Sequence, residues 1–251
     1  MPSQPLRTFS VQLCLVETNE NFSLPQCQSD LTLKKLKSHL ELVTGIPFHF
    51  QRLQYLDEAD LPDESTFKDN DIVPGGRITM HIWRQDGWGH LVAAAAKGET
   101  TKLAHLGVTE DSVGFTPYAE LLGPEQRKKW VAHRAFVALF VASHRGHTEM
   151  AEFLLTHGAN LHSKTPLGRT ALHVAAVAGR CDCIELLLSS GARARVPDSE
   201  GQTAVSLARR WGQKQSESIL VQFKRRKRPP GTVPPSSAAD RALQHTSGPT
   251  A

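Results

Sequence analysis

The side chains that could hold a metal or attack a substrate in this chain are its 12 histidines and 4 cysteines. His144 and His147 stand three apart, and His157 and His162 five apart. No carboxylate recurs beside either pair, and a metal-bound imidazole needs such partners to fix its ring, so structural roles are expected. Among Cys14, Cys27, Cys181 and Cys183 no two have the two-residue gap of a zinc knuckle, and reduced thiols are expected. A nucleophilic Cys181 would need His173 and an acid gathered in a cleft; helix packing accounts for both residues. The chain has no Gly-x-Ser-x-Gly elbow, no Gly-Lys-Ser phosphate loop, no His-Glu-x-x-His helix and no Rossmann glycines followed by an acid. It is expected to be no enzyme and to carry no cofactor or metal.

The elements that position these residues repeat. Gly146, Gly179 and Gly212 fall 33 residues apart, as do Ala142, Ala175 and Ala208; Gly158 pairs with Gly191, Gly168 with Gly201 and Thr170 with Thr203 at the same spacing. A fixed period of this length marks a stacked helical array, an architecture built for binding. In the clearest unit, Gly168 to Ala192, Thr170 can cap a first helix, and Leu172 fills the core while Ala175 and Ala176 let neighbours approach. Gly179 turns the chain, Ile184, Leu187 and Leu188 form a second buried stripe, and Gly191 permits a left-handed end. This unit resembles the ankyrin repeat, which implies protein partners and a structural hydrogen bond between units at His173.

Neighbouring units depart from it. In 134–163, Val137 and Phe140 occupy the places of the capping Thr and His, so that helix start must be satisfied otherwise. In 201–223, Arg209 replaces a small alanine, which makes this unit the terminal cap. A worn first unit spans 91–108, and Gly98 lies 48 residues before Gly146, so about 15 are inserted within 109–133. Insertions in such arrays usually emerge at hairpin loops, where Tyr118, Leu121, Leu122 and Trp130 would form either a solvated loop or a partner contact. The resemblance further implies binding at hairpin tips, here Asn160 to Gly168 and Arg193 to Gly201 with His162, Arg193 and Arg195. It also implies binding on a concave face of Lys97, Val141, His144, Arg145, Val174, Val177, Ala178, Arg210 and Trp211. Basic at its ends and apolar between, this face would suit an acidic segment with an aliphatic anchor, unless Trp211 only covers the array's open end.

Residues 9–83 follow another pattern. Phe9, Val11, Leu13 and Leu15 alternate as in a half-buried strand, with Phe22 and Leu24 on its hairpin partner. A helix carries Leu33, Leu36, Leu40 and Val43 on one face and closes at Gly45. With Gly45-Ile46-Pro47, Gln51 to Tyr55, Leu61-Pro62-Asp63 and a last strand at Ile78 to Ile82, the order and spacing resemble ubiquitin, which implies a β-grasp. Gln54 and His81 replace the aliphatic residues of the ubiquitin recognition patch, and no Arg-Gly-Gly terminus follows Ile82, so a docking domain that cannot be conjugated is expected. Trp83 and Trp88, in a connector at 84–90 and its border, are expected to pack this domain on the first repeat, each burial being worth about 2–3 kcal/mol.

Residues 1–8 and 224–251 lack apolar periodicity and are expected to be disordered. The tail holds six Lys or Arg and one Asp, a net of +5 against +4 for the chain, so the remainder is nearly neutral and no nucleic-acid-binding fold is indicated. Lys224, Arg225, Arg226, Lys227 and Arg228 form either an import signal read by an importin or a solvated basic tail. Met1 to Ser10 has no signal-peptide character, and the longest apolar run, Ala135 to Ala142, is far short of the roughly 20 residues that span a bilayer. The expectation is an α+β chain with a ubiquitin-like β-grasp, an all-α solenoid of about four ankyrin repeats over 91–223, and a basic tail. Its function is expected to be that of an intracellular, monomeric adaptor, cytoplasmic or nuclear, with a nuclear cofactor or a ubiquitin-pathway adaptor as alternatives.

Overall fold

The computed structural model describes residues 8–57, 59–112 and 116–226. The N-terminal domain is a four-stranded sheet ordered β2-β1-β4-β3. Strands β1 (Phe9–Leu15) and β2 (Glu20–Cys27) are antiparallel, β1 runs parallel to β4 (Arg77–Ile82), and β3 (Gln51–Gln54) is antiparallel to β4. Alternation works as expected: Val11, Leu13 and Leu15 are buried under helix α1 (Leu33–Thr44) together with its Leu33, Leu36 and Leu40. Thr32 caps α1 by accepting the Lys35 N–H at 3.3 Å, and Gly45 ends it at φ 71. The expected fourth apolar position, Val43, is only half-buried, whereas Glu41 and Leu42 are buried. A second face of α1 is therefore covered, and the cover comes from the rest of the chain.

That remainder is a stack of helix pairs: α2 (Trp88–Lys97) with α3 (Thr100–Ala104), α5 (Pro124–Arg145) with α6 (Thr148–Thr156), α7 (Ala171–Val177) with α8 (Cys181–Ser189), and α9 (Ala204–Arg210) with α10 (Lys214–Arg226). A short helix, α4 (Pro117–Glu120), precedes α5. The inner helices α2, α5, α7 and α9 stack in order, and fully buried Ala95, Ala138, Ala142, Ala175, Ala176 and Ala208 permit their close approach. Units are pinned to one another by His173. Its Nδ1 accepts the Thr170 N–H at 3.1 Å, which leaves the Nε2 proton to donate to Val196 O at 3.0 Å across to the next unit.

Four expectations change. From Pro124 on the insertion is helical: Gly123 and Pro124 open a 22-residue α5, which includes Glu125 to Lys129 and extends the inner helix at its N-terminal side. The missing Thr and His at Val137 and Phe140 need no substitute, because the helix does not begin there. The connector is likewise structured: a 3₁₀ turn occupies Gln85–Gly87 and α2 starts at Trp88, before the expected boundary at 91. At the other end α10 runs to Arg226, so Lys224, Arg225 and Arg226 lie in a helix, while Lys227, Arg228 and the remainder of the tail lie outside the described residues.

Candidate protein-interaction surfaces

The insertion is knotted to the connector through Arg134, whose side chain is 1% exposed. Its guanidinium lies between Trp88, 4.9 Å from the ring centroid, and Trp130, at 4.5 Å. Its Nε donates to Leu106 O at 2.8 Å and its Nη1 to Asp86 O at 2.7 Å. The Asp86 carboxylate accepts Trp130 Nε1–H at 2.6 Å and the Thr116 hydroxyl. Burial pushes the Arg134 pKa down to about 10, with Asp86 opposing, and the group stays charged. Trp88 reaches the N-terminal domain by packing on Phe50, with centroids 4.4 Å apart. Of the two connector tryptophans, then, Trp88 joins the domains; Trp83 does not, being 39% exposed with Arg52 stacked over it at 4.9 Å. Trp130 faces inward; among the described residues of the insertion, the large apolar side chains of Tyr118 and Leu121 are well exposed and that of Leu122 partly.

The concave face is where sequence and structure part. Helix α1 lies against it. His144, expected to be open, is buried with its Nε2 2.9 Å from Leu42 O and its ring against Gly45, where an added Cβ would come within 2.5 Å of the imidazole. Burial, helped by Arg145, pushes its pKa down to about 3, so it is a neutral donor to that carbonyl. Arg145 forms a bidentate pair with Glu20 at 2.7 Å for both bonds. Val141, Val174 and Val177 are buried. His144 and Arg145 are thus corrected from an open partner surface to a contact with the N-terminal domain, and Val177 to a buried core position, because α1 and β2 cover this part of the groove.

At the centre of that contact sits Arg169, which the sequence reading did not single out. It donates from Nη1 to Ser38 O at 2.6 Å and from Nε to Asp198 Oδ2 at 3.3 Å, and lies 3.6 Å from Glu41 and 3.5 Å from Glu200. Glu41, fully buried, accepts the Phe48 N–H at 2.6 Å and the Thr165 hydroxyl at 2.9 Å. Burial raises the Glu41 pKa; those two donors and Arg169 hold it back. An acid on the polar side of an amphipathic helix and an arginine at a hairpin tip both read as solvated in a sequence, so no local signal marks them.

Comparison with protein families finds ankyrin repeats (3 copies) over residues 119–198 and 138–228, and a ubiquitin-like domain over residues 10–72. The chain carries an ankyrin array behind a ubiquitin-like domain. No curated protein matches it. Ankyrin repeats point to protein partners, and several of the expected contact residues are exposed. The tip residues His162, Arg193 and Arg195 are exposed, as are Lys97, at the far end of the concave row, and Arg210. Trp211 is half-buried and stacked on His39 of the ubiquitin-like domain, with centroids 5.4 Å apart. On the outer face of the ubiquitin-like sheet, Gln54 bonds Asp60 at 3.2 Å and His81 pairs in register with Arg52, which presents a polar surface.

Of the metal and nucleophile candidates outside the domain contact, His147, His157, Cys27, Cys181 and Cys183 have structural neighbours. His147 Nε2 lies 2.8 Å from Ala96 O, and His157 Nδ1 2.7 Å from Phe153 O. Among the described residues no group of three or more His, Cys, Asp or Glu is placed to hold a metal, and no helix is long and apolar enough to cross a membrane. Cys181 sits 3.8 Å from Ser216 Oγ, and burial raises the pKa of both Cys27 and Cys183, which keeps those thiols protonated.

Proposed function

We propose that this protein is a non-enzymatic adaptor whose ubiquitin-like domain closes part of its own ankyrin groove, leaving the hairpin tips, the insertion shoulder and the array's end for partners. The observation that carries this reading is the buried Arg169–Glu41–Asp198 network between α1 and the repeats. A domain docked in this way serves as a fixed part of the scaffold and runs on directly into α2, so it has no free carboxylate for conjugation. The non-enzymatic part is supported by the spending of His173 on Thr170 and Val196, which removes the base from the Cys181 neighbourhood. Cross-linking mass spectrometry on the full chain in cells tests the proposal. Foreign proteins should link to Lys164 at a tip and to Lys128 or Lys129 on the insertion. Absence of any such partner, or links concentrated on Lys37, which faces Asp63 at 2.5 Å within the ubiquitin-like domain, would count against it.

A further inference from the structure

Docking of the two domains creates a cleft that neither possesses alone. Its volume is about 630 Å³, and Lys35, Ser38, His39 and Leu42 from α1 face Glu200, Arg210 and Trp211 from the last repeat. The cleft floor is apolar and aromatic: Leu42 is 5% exposed and the Trp211 ring is stacked on His39 at an interplanar angle of 19°. Its rims are basic and come from opposite domains, since Lys35 and Arg210 are both exposed. The acid present, Glu200, is engaged, with Oε1 accepting the Ser38 hydroxyl at 3.2 Å and lying 3.5 Å from Arg169. The His39 ring registers this balance. Its pKa is lowered first by burial and then by Arg210 and Arg169, with Glu200 opposing them more weakly.

We infer that this composite cleft binds an acidic segment of a partner protein, with carboxylates on Lys35 and Arg210 and an aliphatic or aromatic side chain against Trp211 and Leu42. Tryptophan on the floor of a contact is among the residue types that dominate binding energy. Charge complementarity selects the acidic partner, because two rim cations left in solvent are free to pair, whereas a basic segment would meet both. The inference rests on the protein-binding reading above and narrows it to one surface and one chemistry.

The test uses the full chain and a fluorescein-labelled synthetic 12-residue peptide of alternating Glu and Leu, with a Lys and Leu peptide of the same pattern as control, read by fluorescence anisotropy. The acidic peptide should bind and the basic one should not. Lys35→Glu and Arg210→Glu should each weaken binding by about tenfold or more, the range of a lost charge pair at an interface, while Arg193→Glu at a hairpin tip should leave it unchanged. Trp211→Ala should abolish binding and Trp211→Phe restore part of it. Equal loss in all three charge variants, loss with Arg210→Glu but not Lys35→Glu, or no binding of the acidic peptide would overturn the cleft. If the cross-links to Lys164 and Lys128 survive such a result, the adaptor reading stands and only this site is rejected.

Discussion

At the residue scale the contact between domains is a set of groups that tolerate no change of size or charge. Replacing Arg169 by Met would leave the buried Glu41 and Asp198 without their shared cation. The expected cost is about 3–5 kcal/mol, or a fall in melting temperature of roughly 6–20 °C for a chain of this size, measured by calorimetry. Gly45→Ala meets the imidazole of His144 and must hold φ 71, so it should destabilise too, with a shifted His144 resonance as its signature. The same histidines give a sign to the pH dependence. His144 and His173 are neutral in the fold with pKa values below the ordinary 6.5, and both regain that value on unfolding. Their stabilising contribution is present above pH 6.5 and is lost as pH falls below it, at up to about 1.4 kcal/mol per histidine per pH unit. Glu41, whose pKa is raised, acts oppositely, since its protonation on acidification relieves a desolvated charge. His39, His49 and His133, whose pKa values burial also lowers, add to the trend set by His144 and His173. Urea midpoints at pH 7.5, 6.5 and 5.5 should therefore fall below pH 6.5, and a flat series would contradict this net balance.

Individual elements were legible where a local cause sets them. Thr32 and Gly45 bound α1, and Thr203 and Ser206 cap each other at the start of α9, where Ser206 Oγ accepts the Thr203 N–H at 2.7 Å. The expectation for the insertion rests on where insertions usually emerge in repeat arrays, whereas Pro124 at the first turn of a helix starts one. Glu125 to Lys129 supply ordinary helix formers, and the apolar partners of that turn, Ala119 and Leu122, are brought against Trp130 and Val131 only by the chain reversal at α4. Lys129→Pro separates the two pictures. On an exposed helix interior it should cost about 3 kcal/mol or more and abolish amide protection across 126–132; a loop would accept it at little cost.

At the scale of the whole molecule the two domains form a single unit, joined by Trp88 on Phe50, Arg145 on Glu20, and α1 in the groove. NMR relaxation should show both domains tumbling with one correlation time. The Arg145–Glu20 pair offers a cleaner measure, being bidentate and partly shielded, with side-chain exposures of 12% and 37%. Arg145→Glu and Glu20→Arg should each loosen the docking and the double variant restore much of it, with a coupling of about 1–2 kcal/mol in a double-mutant cycle of thermal stability. Additive single effects would remove this pair from the contact.

The sequence by itself determined the repeat, the β-grasp pattern and a few helix ends such as those at Gly45, Thr170 and Gly179, because each depends on residues close together in the chain: alternation on a strand, a cap three positions from its donor, a glycine where φ must be positive. It also named the residues of the concave face. Only the tertiary structure decided that this face is already occupied, since Glu41 and Arg169 are 128 positions apart in sequence and lie together under 4 Å apart. Periodicity reports which face of an element is apolar, and the docking of α1 is largely polar, through Ser38, Glu41 and the Leu42 carbonyl. Such an interface is written in hydrogen bonds between distant positions, and no local pattern carries it.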